Sequence, residues 1–272
     1  MPPNINGKIS RLLDTVSVIA GVVAIGRTGD IHADLLPGQS DVDIFVFCSD
    51  IPDREVRDAA YQTQRDLFTD CALSVCEGGD WGTGDVFKVD GVDTMLMYFR
   101  MDDTVTYINA VLAGNHTECI QGFYPVGRLA TIKDIHIAYD RSGALSALKG
   151  QLAIYPAVLK RAMINAHLGK TWDDEDLGRV VLRKDVLFYH QVLEVALDHY
   201  LQVLYAVNET FFPSRKRTRE YIDSFKTKPD HCYERLAEVV RLGSSEETIA
   251  GSVARWRSLV DDLHAICGVS RT

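Results

Sequence analysis

Two aspartates separated by one residue, Asp41 and Asp43, stand at the start of a strongly apolar stretch, residues 44–48. Side chains at positions i and i+2 of a β-strand point to the same face, so this pair would form one anionic surface. Two carboxylates this close repel each other unless a cation lies between them, and hard oxygen donors suit Mg²⁺. The spacing therefore predicts a magnesium site. A simple turn is the alternative, because Ser and Asp side chains readily bond to their own backbone.

The flanking segments favour the metal site over the turn. Residues 22–26 have the apolar composition of a first strand, which Gly26 and Gly29 bring to an end. Residues 44–48 contain almost no polar side chain, as expected for a central strand covered on both faces. A strand, a glycine turn and a second strand that begins with carboxylates occur here in succession. This combination favours a metal site over a simple Ser-Asp turn.

These residues resemble the signature of the DNA polymerase β-like nucleotidyltransferases. That signature is a Gly-Ser turn after the first strand, about a dozen further residues, and an acidic-x-acidic pair that opens the next strand. Gly29 lies 12 positions before Asp41, and residues 40–43 (Ser-Asp-Val-Asp) fit the second half of the signature. The chain departs from it at Asp30, where the family usually has a serine that helps to hold the nucleotide phosphates.

The resemblance is greatest to the small-molecule members, the aminoglycoside and lincosamide nucleotidyltransferases, which add a helical C-terminal domain. It implies an α+β fold, with a mixed sheet flanked by helices over residues 1–143 and a helical bundle over residues 144–272. It also implies Mg²⁺-dependent transfer of a nucleoside monophosphate from a nucleoside triphosphate, with ATP as the expected donor. The acceptor would be a hydroxyl of a small molecule, either antibiotic-like or a metabolite.

The family also has a third carboxylate on a neighbouring strand. Residues 85–99 predict two strands joined by the turn Asp90-Gly91. Asp93 stands near the start of the second strand, whereas Asp90 already has a local role in the turn. Asp93 is therefore the preferred third acid.

The resemblance then assigns roles to particular residues. The catalytic and metal-binding residues would be Asp41, Asp43 and Asp93. Asp93 would also take the proton from the acceptor hydroxyl. The nucleotide would lie against Gly29, Asp30 and Ser40. The acceptor would bind between the strand of Asp93 and the helical half of the chain.

Composition limits the classes of partner and the cellular location. The 272 residues carry a net charge of −9, which argues against nucleic acid as a partner and is compatible with a cationic acceptor. No apolar run reaches the roughly 18–20 residues that span a bilayer, so no membrane partner is expected. The six scattered cysteines are interpreted as reduced thiols, which predicts a cytoplasmic protein.

The second half of the chain has helical periodicity, including a long predicted helix over residues 180–207. Four of the six residues 214–219 are basic. They form a solvated surface, or else Lys216 holds a phosphate as a point charge. Neither His190 nor His199 has a second His or Cys four residues away, so a metal role is not expected.

Two other functions remain open at this stage. Arg183 and His190 are seven residues apart, which resembles the Arg-x(4–6)-His motif of a helical ribonuclease family. A catalytically inactive nucleotidyltransferase fold, used for binding or as an antitoxin, is the other possibility, and Asp30 is its main support. A dinucleotide-binding fold is excluded, because Gly21, Gly26 and Gly29 do not have the Gly-x-Gly-x-x-Gly spacing.

Overall fold

The computed structural model describes residues 4–120 and 122–269 and shows an α+β protein, as the sequence predicts. One six-stranded mixed sheet has the strand order β3-β4-β5-β2-β1-β6. The strands are β1 (Val22–Arg27), β2 (Asp41–Cys48), β3 (Asp70–Cys76), β4 (Thr83–Val89), β5 (Val92–Arg100) and β6 (His136–Asp140).

The centre of the sheet brings the predicted acidic strands together. Strand β2 pairs with β5 in parallel, and its other neighbour, β1, is antiparallel to it. Strands β4 and β5 form the predicted hairpin, with Asp90 and Gly91 both at positive φ (47° and 81°). Two positive φ angles in succession are what a tight two-residue hairpin turn requires.

The helices account for most of the second half of the chain. In chain order they are α1 (Ile5–Ser17), α2 (Arg54–Gln62), α3 (Met101–Leu112), α4 (Pro125–Asp134), α5 (Ala144–Gln151), α6 (Ala157–His167), α7 (Asp174–Arg183), α8 (Val186–Val207), α9 (Thr218–Ser224), α10 (Cys232–Leu242) and α11 (Ile249–Ile266).

The residues form two compact units. Unit 1 runs to Asn109 and includes Thr131–Ile154, while unit 2 comprises Ala110–Ala130 and the chain from Tyr155 onward. The domain boundary after residue 143 stays a prediction. Within unit 1, the carboxylate of Asp140 in β6 accepts from the start of α5. Within unit 2, Gly127 of α4 lies against the backbone of Pro213.

The core of unit 1 lies between helix α1 and one face of the sheet. Helix α1 buries Ile9, Leu12 and Val16 on a single stripe, and its N-terminus is capped by the side chain of Asn4. These residues pack with alternate residues of β2, including Ile44. Alternation along β2 therefore leaves Asp41 and Asp43 on the face away from this core.

The core of unit 2 is rich in large aromatic side chains. Trp256 is completely buried, and its indole N–H donates to the carbonyl oxygen of Thr171 at 3.1 Å. Tyr189 is also buried and hydrogen-bonds to Ser252, whose own hydroxyl donates to the carbonyl of Val239. Burial of large rings with their polar atoms satisfied stabilises this unit.

Two boundaries differ from the sequence-based expectation. The predicted helix over 180–207 is two helices, because Lys184 takes a left-handed conformation (φ 55°) and Asp185 caps α8 by accepting from the amide of Phe188. The sequence also predicts a last short strand over residues 132–139, but this strand begins only at His136, since α4 continues to Asp134.

Within the described residues, no helix combines the length and the apolar character needed to span a membrane. All six cysteines are free thiols.

Candidate functional site

The acidic pair lies side by side on the surface of unit 1. Asp41 and Asp43 are both exposed, and Val42 between them is buried in the opposite face of the sheet. Further along the same face, Phe45 is buried and stacks on Phe99 of β5 with 5.6 Å between ring centroids. The two carboxylates therefore stand at the edge of an apolar aromatic surface.

The register of the sheet places the third predicted acid beside the first. Asp93 of β5 is the direct partner of Asp41 of β2, and paired residues of neighbouring strands share a face. The carboxylate of Asp93 forms an ion pair with Lys88 of β4, with 2.8 Å between Nζ and Oδ1. This hydrogen bond raises the pKa of Lys88.

The chemistry of the donors fits a hard divalent cation, because all three candidates are carboxylates. Their side chains do not converge, however. Among residues 4–120 and 122–269, no group of three His, Cys, Asp or Glu side chains is arranged to hold a metal ion. With Asp93 bound to Lys88, the structure brings the three backbone positions together but not the three carboxylates.

The candidate nucleotide-binding residues of unit 1 lie in the loop between β1 and β2. Gly29 has a left-handed φ of 77° with open space around its α-carbon, so the turn presents bare backbone. Asp30 does not extend freely, because its Oδ1 accepts from the amide of His32 at 2.8 Å. The hydroxyl oxygen of Ser40 likewise accepts from the amide of Leu36 at 2.9 Å. Both side chains therefore stabilise the loop itself.

Lys216 belongs to unit 2, where it is exposed just before α9. Its neighbour Arg215 is not part of a purely solvated cluster, since it forms an ion pair with Asp198 at 2.6 Å. Lys216 as a phosphate contact stays a prediction.

A buried polar network in unit 1 was not anticipated from the sequence, where Asp85 resembled a strand-end residue. Asp85 is completely buried in β4 and accepts from Arg57 at 2.7 and 3.1 Å. The hydroxyl of Tyr61 donates to the same carboxylate at 2.7 Å, so Tyr98 must donate to Tyr61 in turn. The network ties α2 to the middle of the sheet.

A second constellation lies in unit 2, around a cavity of about 670 Å³. Two histidines on different helices line it, His167 of α6 and His199 of α8, with 2.7 Å between their Nδ1 atoms. The sequence does not predict this pair, because the partner of His199 lies on a different helix. Glu194, Asp198 and Gln202 are spaced four residues apart along α8 and so form a polar stripe. This stripe was the sequence signal for a polar cavity wall.

Hydrogen bonding fixes the tautomers of this histidine pair. The Nε2 of His167 is 2.8 Å from the carbonyl oxygen of Thr117, which can only accept, so this nitrogen carries the proton. The Nδ1 of neutral His167 is then an acceptor, and His199 donates to it from its own Nδ1. The Nε2 of His199 is then the unprotonated nitrogen of that ring. Burial lowers the pKa of both histidines, which favours this neutral state.

The rest of the cavity wall is polar and partly paired. Tyr124 donates to Asp198 at 2.6 Å, and Arg215 donates to the other oxygen of the same carboxylate. The side-chain oxygen of Gln202 is buried without a hydrogen-bond partner among the described residues. This wall can accept hydrogen bonds from hydroxyl or amine groups.

The geometric basis of the ribonuclease hypothesis is wrong. Arg183 ends α7, whereas His190 lies in α8, and the break at residues 184–185 separates them. The two side chains do not share one helix face.

Comparison with known proteins adds two findings. The family described as "Domain of unknown function (DUF4037)" matches residues 123–217, which is less than half of the 272 residues. A solved structure of a nucleotidyltransferase-like protein from Exiguobacterium sibiricum is similar at 12% sequence identity with a TM-score of 0.48. That similarity covers 97% of this chain and 78% of the other. No curated protein matches.

Proposed function

We propose that the chain is a Mg²⁺-dependent nucleotidyltransferase that moves a nucleoside monophosphate from a nucleoside triphosphate, with ATP as the preferred donor, to a hydroxyl of a small molecule. The observation that carries the proposal is the placement of Asp41 and Asp43 on one exposed face of β2, with Asp93 in register on the parallel neighbour β5. This register brings the backbone positions of the three aspartates together at the start of two central, parallel strands.

Each carboxylate has a separate role in this proposal. Asp41 and Asp43 would hold Mg²⁺, which supplies positive charge to neutralise the triphosphate. Asp93 would leave Lys88 and accept the proton of the acceptor hydroxyl. The hydroxyl oxygen forms a bond to the α-phosphorus as the bond from that phosphorus to pyrophosphate breaks. Because Asp93 and Lys88 are exposed, breaking their ion pair costs little free energy, since exposed ion pairs contribute little to stability.

Nucleotide binding would use backbone more than side chains in unit 1. Gly29 leaves room for a phosphate to approach its amide, while Asp30 and Ser40 hold the loop that contains it. Because Asp30 accepts a hydrogen bond from the amide of His32, one of its carboxylate oxygens faces its own turn.

The proposed acceptor is a cationic or polyhydroxylated small molecule. The net charge of −9 and the acidic pair favour a positive ligand over an anionic one. The same charge disfavours nucleic acid as the acceptor.

The first prediction tests the acidic pair. Replacing Asp41 or Asp43 by Asn should reduce nucleotide transfer by about a thousandfold, because one of the two carboxylates that would hold Mg²⁺ is lost. Transfer of label from α-³²P ATP to a panel of hydroxylated acceptors measures the effect. Asp134→Asn removes an exposed carboxylate elsewhere in unit 1 and should leave transfer unchanged. Wild-type activity in either pair variant, with the fold intact by circular dichroism, would contradict the mechanism.

A non-catalytic nucleotide-binding module is the second candidate, and one observation favours it. Asp93 is paired with Lys88, and no three potential metal ligands converge among the described residues. Thermal shift with the four common nucleoside triphosphates and Mg²⁺ separates the candidates when it is combined with product detection. Stabilisation without product in wild type and in Lys88→Met would favour the binding module. Product formation favours the enzyme.

A further inference from the structure

A cavity of about 360 Å³ lies in unit 1 between α1, the end of β1 and strand β6. It does not belong to the acidic face. Arg27 lines it and pairs with Ile44 across the antiparallel strands β1 and β2. Paired residues share a face, and Ile44 faces the α1 core. The cavity therefore lies on the side of the sheet opposite Asp41 and Asp43.

Arg27 is a largely buried cation whose Nε atom has no hydrogen-bond partner among the described residues. Its exposed fraction is 6%. Burial lowers the pKa of Arg27, and the charge of Asp30 opposes this effect from a distance. A buried charge without a partner is strongly unfavourable, so an anion is the natural complement.

A second unpartnered polar atom belongs to Asn6, which is another residue of the cavity wall. The side-chain nitrogen of Asn6 donates to the carbonyl oxygen of Ala33 at 3.3 Å, which fixes the orientation of the amide. The oxygen of Asn6 is then the buried atom without a partner. It requires a hydrogen-bond donor. The cavity thus contains a cation, Arg27, that an anion would neutralise. It also contains a hydrogen-bond acceptor, Asn6, that a donor would satisfy.

We propose that this cavity binds a phosphorylated small molecule that also carries a hydroxyl or amine donor, with Arg27 holding the phosphate and Asn6 accepting from the donor. A guanidinium offers several N–H groups in a planar fork, which matches the oxygens of a phosphate. The imidazoles of His32 and His136 line the cavity as well and offer further donors. The volume lies in the lower range of small-molecule pockets and exceeds the needs of inorganic phosphate alone.

Asp14 is the group in the cavity wall that opposes an anion. It is exposed on α1, so water screens its charge, whereas Arg27 is buried. The charge of Arg27 is therefore screened less than that of Asp14.

Thermal shift and calorimetry on the full chain test this proposal. Inorganic phosphate, glycerol 3-phosphate and acetate are compared at constant ionic strength. Glycerol 3-phosphate should raise Tm most, inorganic phosphate less, and acetate least. Arg27→Met should abolish the shifts, while Arg54→Met, which removes an exposed arginine of the same unit, should retain them.

Two further variants separate binding from folding. In phosphate-free buffer, Arg27→Met should match or exceed the Tm of wild type, because an unpaired buried charge has been removed. Arg27→Lys keeps the charge but loses the planar fork, so it should fold and bind glycerol 3-phosphate about tenfold more weakly. Asn6→Ala should remove the preference for glycerol 3-phosphate over inorganic phosphate.

Three outcomes would overturn the proposal. The first is no stabilisation of wild type by either phosphate compound at millimolar concentration. The second is an equal loss in Arg27→Met and Arg54→Met, which would indicate non-specific charge binding. The third is an equal response to acetate, which would indicate a carboxylate site. None of these results bears on the acidic face, which the nucleotide-transfer assay tests separately.

Discussion

Asp85 is completely buried in β4, and its two carboxylate oxygens accept from Arg57, Tyr61 and the amide of Ser74. Arg57 is itself only 2% exposed and also donates to the carbonyl of Pro52. Each charge in this pair is therefore desolvated and fully dependent on its partners. Breaking such a pair costs more than the pair contributes, because one charge is left buried alone.

The second prediction follows from that asymmetry. Asp85→Asn or Arg57→Met should lower the free energy of unfolding by about 3–5 kcal/mol, measured by urea denaturation. The double variant Arg57→Met/Asp85→Leu should lose less than the sum of the single variants. The partly exposed pair Lys8–Asp90 supplies the control, and Lys8→Met should lower the free energy of unfolding by about 1 kcal/mol or less. Similar losses in Arg57→Met and Lys8→Met would show that burial does not determine the effect.

Single residues were predictable where their role is local. Asp90 builds the hairpin turn through its own backbone, and the Asp-Gly pair shows this directly in the sequence. Asp85 and Arg27 were not recognised, because their behaviour depends on burial by other segments. A charged residue in a strand gives no sequence signal for whether its partner is a protein group or a ligand.

At the level of elements, α6 and α8 together create the histidine pair of unit 2. His167 and His199 are 32 residues apart in the chain and meet only because the two helices pack together. Glu118, Asp198 and Lys170 also face the pair, and the two carboxylates oppose the lowering of the histidine pKa values. Burial is the larger effect for both.

The third prediction is a pH dependence of stability that arises from this pair. Because folding lowers both pKa values, the unfolded chain binds more protons below the ordinary histidine pKa of about 6.5. Stability should therefore be complete above that pH and fall as the pH decreases through it. His199→Asn keeps an N–H donor for His167 and should flatten this decrease in urea denaturation between neutral and mildly acidic pH. His231→Asn, at an exposed position of unit 2, should leave the slope unchanged. An identical slope in wild type and His199→Asn would contradict the assignment.

Helices and strands with a regular hydrophobic period were predicted well. The residues at which one element ends and the next begins were not. The first two strands and the hairpin follow from alternation, apolar runs and glycine turns. The helix break at residues 184–185 was missed, because helical periodicity continues across it. The Asp at position 185 was a capping signal, but Lys184 in a left-handed conformation is unusual for a residue with a side chain.

At the scale of the whole molecule, the two charged sites proposed for unit 1 differ in their exposure. The acidic pair is exposed within a chain of net charge −9, so its attraction for a cation acts through water. Arg27 lies on the other face of the sheet and is buried. Salt screens exposed charges over about 8–10 Å near physiological ionic strength and affects buried ones much less.

The last prediction uses this difference in screening. The KM for a cationic acceptor should rise steadily with NaCl, while the KM for an uncharged polyhydroxylated acceptor should stay nearly constant and serves as the control. The Kd of glycerol 3-phosphate should change less with NaCl than the KM of the cationic acceptor, because Arg27 is shielded from solvent. Steady-state transfer assays and calorimetry over the same salt series provide both quantities. Equal salt dependence for the cationic and the neutral acceptor would show that the net negative charge does not select the substrate. Transfer of label to RNA in preference to either acceptor would contradict the small-molecule assignment, because a chain of this charge should repel a polyanion.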